Sequence, residues 1–206
     1  MATDGGTVAA FGFRFQYLVT VEEFLRTVTD HLSEPGAVVL IVEPTRHDIG
    51  VGNDDDVVDF AIERSGRVER HVQVKSSVVP SESNRLGYAD VEEIFARMGS
   101  EGDEATVLTN RPLAPKLVDA CGTASRSVEG RLIYAVTASE LTHDAPSPRR
   151  TVVHDDRGTA MIKESILALI RSIRPSLRLI FCQSCIKQRP NCRSRHRQSL
   201  KWPFRR

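Results

Sequence analysis

A three-layer α/β domain built on a mixed β-sheet is the fold this sequence predicts, and three observations lead there. Helical and strand-like segments alternate along most of the chain. The strand-like segments are β-branched, two of them flanking a tight turn and the later ones separated by a helix. The 206 residues, 40% hydrophobic and 27% charged, suffice for one domain with a sizeable core and a small appendage.

Residues Thr7 to Leu32 read as one long helix. Phe13, Tyr17, Val21, Phe24, Leu25 and Val28 form its apolar stripe, and Gln16, Thr20 and Glu23 lie on a neighbouring face from which Gln16 and Glu23 could both look toward a site; solvent exposure is the plainer reading for Glu23. Ala37 to Val42 is a continuous β-branched run ended by Glu43-Pro44 and fits a buried strand. Val57 to Glu63 and Arg67 to Lys75 flank Arg64-Ser65-Gly66 and read as an antiparallel hairpin. A loop follows at Val79 to Asn84. Asp90 then opens a helix, with Glu93 completing a capping box and Val91, Ile94, Phe95 and Met98 buried. Ala105 to Thr109 and Leu132 to Thr137 are two further strands, with a helix near Pro115 to Ala120 between them. His143 to Arg150 is Pro-rich and polar, a linker signal, and Ala160 to Ile173 is an amphipathic helix. The expected organisation is a core over 1–141, a linker and helix over 142–175, and a basic, cysteine-containing tail over 176–206 that is extended or disordered.

The hairpin carries the chemistry. With a three-residue loop and Gly66 in a left-handed conformation, Val58 pairs with Val72 and Ile62 with Val68, so apolar residues meet apolar ones. Asp59, Gln73 and Lys75 then share the other face, with Asp55 near Lys75 and His71 next to Asp59. A two-residue Ser-Gly loop shifts the register by one and mixes the faces, so the longer loop is preferred. Ahead of the hairpin stands the acid cluster Asp54-Asp55-Asp56.

A carboxylate, a second oxygen ligand and a lysine on one face are the minimal parts for metal-assisted cleavage of a phosphodiester. Such oxygens suit Mg²⁺ or Mn²⁺, and Mg²⁺ keeps several waters and is held by one or two carboxylates plus substrate phosphate. Asp59 is the first choice of ligand, with Asp56 or Asp55 competing and Gln73 adding a neutral oxygen. The Lys75 ammonium would steady the attacking water or the developing phosphorane charge. The bland alternative is a solvated acidic loop followed by the wet face of a sheet.

Several pieces along residues 8 to 140 resemble one family. Gly12-Phe13-Arg14-Phe15-Gln16-Tyr17 opens the first helix, Glu43 ends the first strand, the acid cluster and Gln73-Val74-Lys75 come next, and Val107-Leu108-Thr109-Asn110 lies on a later strand. In order and spacing these resemble the PD-(D/E)xK nuclease superfamily in its Gln-x-Lys variant. More narrowly they resemble the double-stranded DNA endonuclease domain of CBASS-type anti-phage effectors. The resemblance implies a restriction-endonuclease-like core. It also implies an active site of Asp59 (or Asp56), Gln73 and Lys75 supported by Glu43 and Gln16, and activity linked to oligomerisation or a sensor partner. The long Pro44 to Asn53 connection departs from the family pattern and leaves the choice among the aspartates open.

Charge divides the chain. From Arg171 onward there are 11 Lys and Arg and no Asp or Glu, so residues 1–170 carry 17 basic and 27 acidic residues. An acidic catalytic region weighs against tight duplex binding, which Lys and Arg on phosphates supply. A bound metal, the basic tail or a partner subunit would offset it. Two other classes compete with the nuclease: a non-catalytic nucleic-acid-binding module of the same fold, and an oligomerisation platform.

The tail also holds Cys182-x2-Cys185-x6-Cys192 with His196 beyond, a spacing that fits structural Zn²⁺. No second Cys-x2-Cys pair accompanies it, so reduced thiols in a basic arm are the preferred reading. The lack of acids also fits a truncated or frame-altered remnant of a longer effector. His47, His71, His143 and His154 are scattered, and Gly5-Gly6, Gly50 and Gly52 lack phosphate-loop spacing. No apolar run of about 18 residues and no signal-peptide pattern is present, so the expectation is a cytoplasmic chain without a membrane partner.

Overall fold

The computed structural model describes residues 5–33, 37–44, 57–98, 104–121, 124–126, 131–136 and 149–187, and within them the side chains from Ala10 to Arg174. Its elements are α1 (Gly5–Asp30), β1 (Val38–Val42), β2 (Phe60–Arg64), β3 (Arg67–Lys75), a 3-10 turn (Glu82–Asn84), α2 (Tyr88–Met98), β4 (Glu104–Thr109), α3 (Pro115–Cys121), β5 (Ser125–Arg126), β6 (Leu132–Ala135), β7 (Arg149–His154) and α4 (Thr159–Lys187). The strands form one seven-stranded sheet in the order β1-β2-β3-β4-β7-β6-β5. Pairing is antiparallel through β1-β2-β3, parallel through β3-β4-β7 and antiparallel through β7-β6-β5. The fold is therefore α/β with a mixed sheet.

Helices cover both faces. On one, Phe15 and Val19 of α1 and Ile162 of α4 meet Phe60, Ile62, Val72, Val74, Leu108 and Val153. On the other, Val91, Ile94, Phe95 and Met98 of α2 and Leu117 and Cys121 of α3 meet Ala105, Val107, Val152 and Tyr134. Alternation along β3 and β4 produces the division, because successive residues point to opposite faces. Cys121 is buried within the second core, and burial pushes its thiol pKa up.

Several sequence expectations are corrected. The hairpin turn has two residues, Ser65 and Gly66, both with positive φ (54° and 82°), as a right-twisted hairpin with so short a loop requires. The face mixing such a loop would cause is avoided by a bulge between Ile62 and Glu63, beyond which Phe60 pairs with Val72 and Ala61 with His71. The extra residue restores the alternation by a route that face-matching with a regular ladder cannot find. His71 is consequently buried opposite Ala61, not beside Asp59.

β1 is a half-exposed edge strand, not a buried one. Helix α2 starts at Tyr88, so Asp90 is its third residue and accepts the Gly87 N–H at 3.1 Å. That is the returning half of a capping box and not the N-cap. Residues 149–154, expected at the end of a linker, form β7 between β4 and β6, so the sheet continues past residue 141. Helix α4 reaches Lys187, which places a helix where the start of an extended tail was expected.

The stripe on α1 is also different. Phe15, Val19 and Glu22 are its most buried residues, while Phe13, Tyr17 and Val21 are exposed. Apolar residues surround the first half of this helix, so periodicity does not select one face. The orientation follows Glu22, which is fully buried against Arg157. Arg157 Nη1 and Nη2 donate to Glu22 at 3.0 and 2.7 Å, and its Nε and Nη2 donate to Asp155 at 2.8 and 2.6 Å. This cluster ties α1 to the segment between β7 and α4. Glu23 is buried too, accepting from Arg70 at 3.1 Å and from Arg131.

Candidate functional site

The β2–β3 ladder ends at the Phe60–Val72 pair, and the residues just beyond that pair build a site. Asp59 still donates its N–H to Val72 O at 2.9 Å and accepts Glu43 N–H at its carbonyl at 2.8 Å. Its carboxylate then replaces the next rung: Oδ2 accepts the Val74 N–H at 2.5 Å. Oδ2 also accepts Gln73 Nε2 at 2.7 Å, and Oδ1 accepts Gln16 Nε2 from α1 at 3.0 Å. Three elements, α1, the β2 entry and β3, therefore meet at one carboxylate.

Glu43 joins from the end of β1. Its φ of +48° turns the chain out of the strand just before the buried Pro44. That conformation is uncommon for a non-glycine residue, and doubly so before proline, whose ring disfavours compact conformations in its predecessor. Glu43 is held in it by the N–H bond to Asp59 and by Tyr17, whose hydroxyl donates to Glu43 Oε1 at 3.2 Å. That hydrogen bond to an acceptor is the main reason the Tyr17 phenol pKa is raised.

Burial is the largest influence on Asp59 and pushes its carboxyl pKa up. The Val74 N–H, the nearby Lys75 ammonium and the Gln73 amide act in the opposite direction, and the negative charge of Glu43 adds to the rise. The net result is a raised pKa. Half-buried Lys75 thus lies close enough to act electrostatically on Asp59.

Of the expected site residues, Asp59, Gln73 and Gln16 are in direct contact, Glu43 is bonded to the Asp59 backbone, and Lys75 is an electrostatic neighbour. Glu23 is not part of the site. Asp54, Asp55 and Asp56 lie outside the described residues, as do Cys192, His196 and the side chains of Cys182 and Cys185.

Lone-pair counting shows what a metal would find. Among the described residues Oδ2 of Asp59 accepts two hydrogen bonds and Oδ1 accepts one, which leaves Oδ1 one coordination direction. Gln73 donates through Nε2, which leaves its Oε1 available. The Glu43 carboxylate adds a third oxygen source. Among the described residues no group of three or more His, Cys, Asp or Glu is placed to hold a metal ion. Mg²⁺ does not require one, since one or two carboxylates, water and substrate phosphate complete its shell. The all-oxygen donor set among the described residues fits a hard divalent cation better than Zn²⁺, which favours nitrogen and sulfur ligands.

Two neighbours of the site are not evident from the sequence. Tyr17 belongs by periodicity to the helix core; its only signal as a site residue is its place beside Gln16, at the edge of the helix face that carries the site. Thr109 is fully buried, and its hydroxyl donates to Lys75 O at 2.6 Å. Only the parallel register of β3 and β4, which sets Lys75 beside Thr109, exposes that contact.

No family model, curated protein or solved structure matches the chain. Among the described residues no helix is long and apolar enough to cross a membrane.

Proposed function

We propose that this chain is a metal-dependent endonuclease that hydrolyses phosphodiester bonds in double-stranded DNA. In this reading its core is restriction-endonuclease-like, and the domain acts as a cytoplasmic anti-phage effector together with further copies or a sensor partner. One observation carries the reading: Asp59, Gln73 and Gln16 meet at a single carboxylate with Lys75 and Glu43 beside it. A solvated hairpin would not bury an aspartate among three donors drawn from two elements.

The roles follow from the geometry. Asp59, with Glu43 and the Gln73 carbonyl, would hold Mg²⁺ or Mn²⁺. When bound, such an ion polarises the scissile phosphate and acidifies a water. Gln16 and the Val74 N–H fix the rotamer of Asp59, so its one open direction has a set orientation. The Lys75 ammonium holds the attacking water and offsets charge developing on the phosphorus-bound oxygens. Asp56 is a further candidate ligand.

Supercoiled plasmid incubated with the protein and Mg²⁺, at concentrations high enough to permit assembly, tests this. Nicked and linear products are expected from the wild type, with Lys75→Ala slower by roughly 100-fold or more. Absence of cleavage at every concentration, or undiminished cleavage by the variant, would sink the reading. A protein that binds DNA without cleaving it would be the non-catalytic module of the same fold.

A further inference from the structure

The segment after Lys75 is tied to the end of β4 with unusual completeness. Thr109, fully buried, is the parallel-sheet neighbour of Lys75. Its hydroxyl donates to Lys75 O at 2.6 Å and accepts the Arg111 N–H at 3.0 Å, so both hydrogen-bonding functions of one small side chain are used. The next residue, Asn110, is also buried and pairs its carboxamide with the backbone of Ser77 in both directions. Oδ1 accepts Ser77 N–H at 2.7 Å, and Nδ2 donates to Ser77 O at 2.8 Å. Asn84 closes the far side by donating to Ser77 Oγ at 2.8 Å.

These bonds are not rungs of the sheet. β3 ends at Lys75 and β4 at Thr109, so past this point the ladder no longer constrains the chain. Side chains take over the work of backbone pairing for residues 75–77, and they are of the types that imitate backbone groups, a hydroxyl and a carboxamide. The anchor is itself anchored: Thr109 O accepts the Asp155 N–H at 2.8 Å, and the Asp155 carboxylate is bonded to Arg157, which holds Glu22 of α1. The same helix carries Gln16, the partner of Asp59. A circuit of hydrogen bonds therefore joins the two sides of the candidate site through the body of the protein, from Lys75 to Thr109, Asp155, Arg157, Glu22, α1, Gln16 and Asp59.

We infer that Thr109 and Asn110 are positioning residues for Lys75: they hold the backbone of residues 75–77 so that the ammonium stays beside the Asp59 carboxylate. The inference rests on the nuclease reading for its kinetic consequence but not for its structural one. Both side chains are buried and engaged by backbone groups, so their part is to position and not to react. Thr109 controls the carbonyl of the lysine and Asn110 the strand exit two residues on. Small displacements at a reacting group are costly in rate, whereas substrate affinity, spread over many phosphate contacts, is insensitive to them.

Thr109→Val and Thr109→Ser on the full chain are the test. Valine is nearly isosteric and removes the hydroxyl, while serine keeps it. In plasmid cleavage Thr109→Val should lower kcat by roughly 10- to 100-fold with KM for DNA within about twofold, and Thr109→Ser should restore most of the rate. Equal rates for wild type and valine variant, or a loss carried by KM, would overturn the inference. A second measurement works whether or not cleavage occurs. NMR of ¹⁵N-lysine and ¹³C-aspartate labelled protein should show the Lys75 Nζ and Asp59 Cγ signals moved in Thr109→Val, and restored in Thr109→Ser. Unchanged signals in a folded valine variant would also overturn it. A wild type that does not cleave but shows the NMR response defeats the nuclease reading alone.

Discussion

Replacing Arg157 by methionine removes a guanidinium of similar reach while keeping much of its packing. In the folded protein this side chain makes four charge-assisted hydrogen bonds, two to Glu22 and two to Asp155. Both carboxylates are fully buried. Burial alone would lower the Arg157 pKa, but the bonds to Asp155 and Glu22 outweigh it and raise it, so the ion is firmly charged. Without it Glu22 retains Ser165 and Arg26, the latter at 2.7 Å, whereas among the described residues the Asp155 carboxylate retains the N–H of residue 157 at 3.1 Å. Breaking a buried pair by removing one partner costs about 3–5 kcal/mol, because the remaining charge is left unpaired. For a chain of this size that corresponds to a fall in Tm of roughly 6–20 °C.

The pH dependence has a definite sign. In the wild type, burial raises the Glu22 pKa but the hydrogen bonds to Arg157, Ser165 and Arg26 overcome it, and the net shift is downward. That stabilisation is present above the ordinary carboxylate range and is lost as pH falls through the depressed pKa. In Arg157→Met the Glu22 carboxyl loses the first of the bonds that oppose burial, so its pKa rises, acid neutralises it more readily and the deficit against wild type should narrow as pH falls. Urea unfolding followed by circular dichroism at pH 8 and pH 5 measures both effects. A loss below about 1 kcal/mol at pH 8, or a deficit that does not shrink at pH 5, would refute the argument that this cluster is a dry ionic lock.

Three further outcomes are expected. Asp59→Asn keeps an oxygen for the Val74 N–H but carries no buried charge. Because the wild-type pKa is raised, the proton-bound form is favoured by folding and stability is lost as pH rises through that pKa. The variant should therefore melt at or above the wild-type temperature at pH 8 by calorimetry while cleaving nothing; a clear fall in Tm would contradict this. Wild-type cleavage, needing ionised Asp59, should decline with acid, and at lower pH when Mg²⁺ is raised because metal and proton compete for that carboxylate, as pH–rate profiles at two Mg²⁺ concentrations would record. Gly66→Ala meets no atom within 4 Å, so its penalty is the +82° backbone alone, about 1–2 kcal/mol by denaturant titration, with Gly66→Asn tolerated better.

The pieces of the site that lie within one hairpin are readable from the sequence, because alternation and a turn signal put Asp59 and Gln73 on a common side. The route to that pairing is not. A regular three-residue loop is the simplest way to match faces, but the chain uses Ser65-Gly66 and a bulge, and a bulge has no sequence signature beyond the mismatch it repairs. Gln16 is marked by its aromatic neighbours, although the apolar stripe that periodicity assigns to α1 is not the one it buries. Phe13, Tyr17 and Val21 are as apolar as Phe15 and Val19, and the helix is oriented instead by its buried acids, Glu22 on Arg157 and Glu23 on Arg70 and Arg131. β7 escapes a sequence reading because its β-branched run, Thr151-Val152-Val153, is short and comes after a Pro-rich stretch; its burial between two strands stands in for length.

Local chemistry along the chain thus accounts for the α/β class, the hairpin and the identity of Asp59, Gln73 and Lys75, since side-chain type and period act over a few residues. Long-range juxtaposition accounts for the rest: Gln16 on Asp59 across 43 positions, Arg157 on Glu22 across 135, and Thr109 under Lys75 across 34. Those contacts come from strand order and helix rotation, which minimise buried unpaired charge and unfilled volume over the whole molecule, and no window of sequence contains that sum.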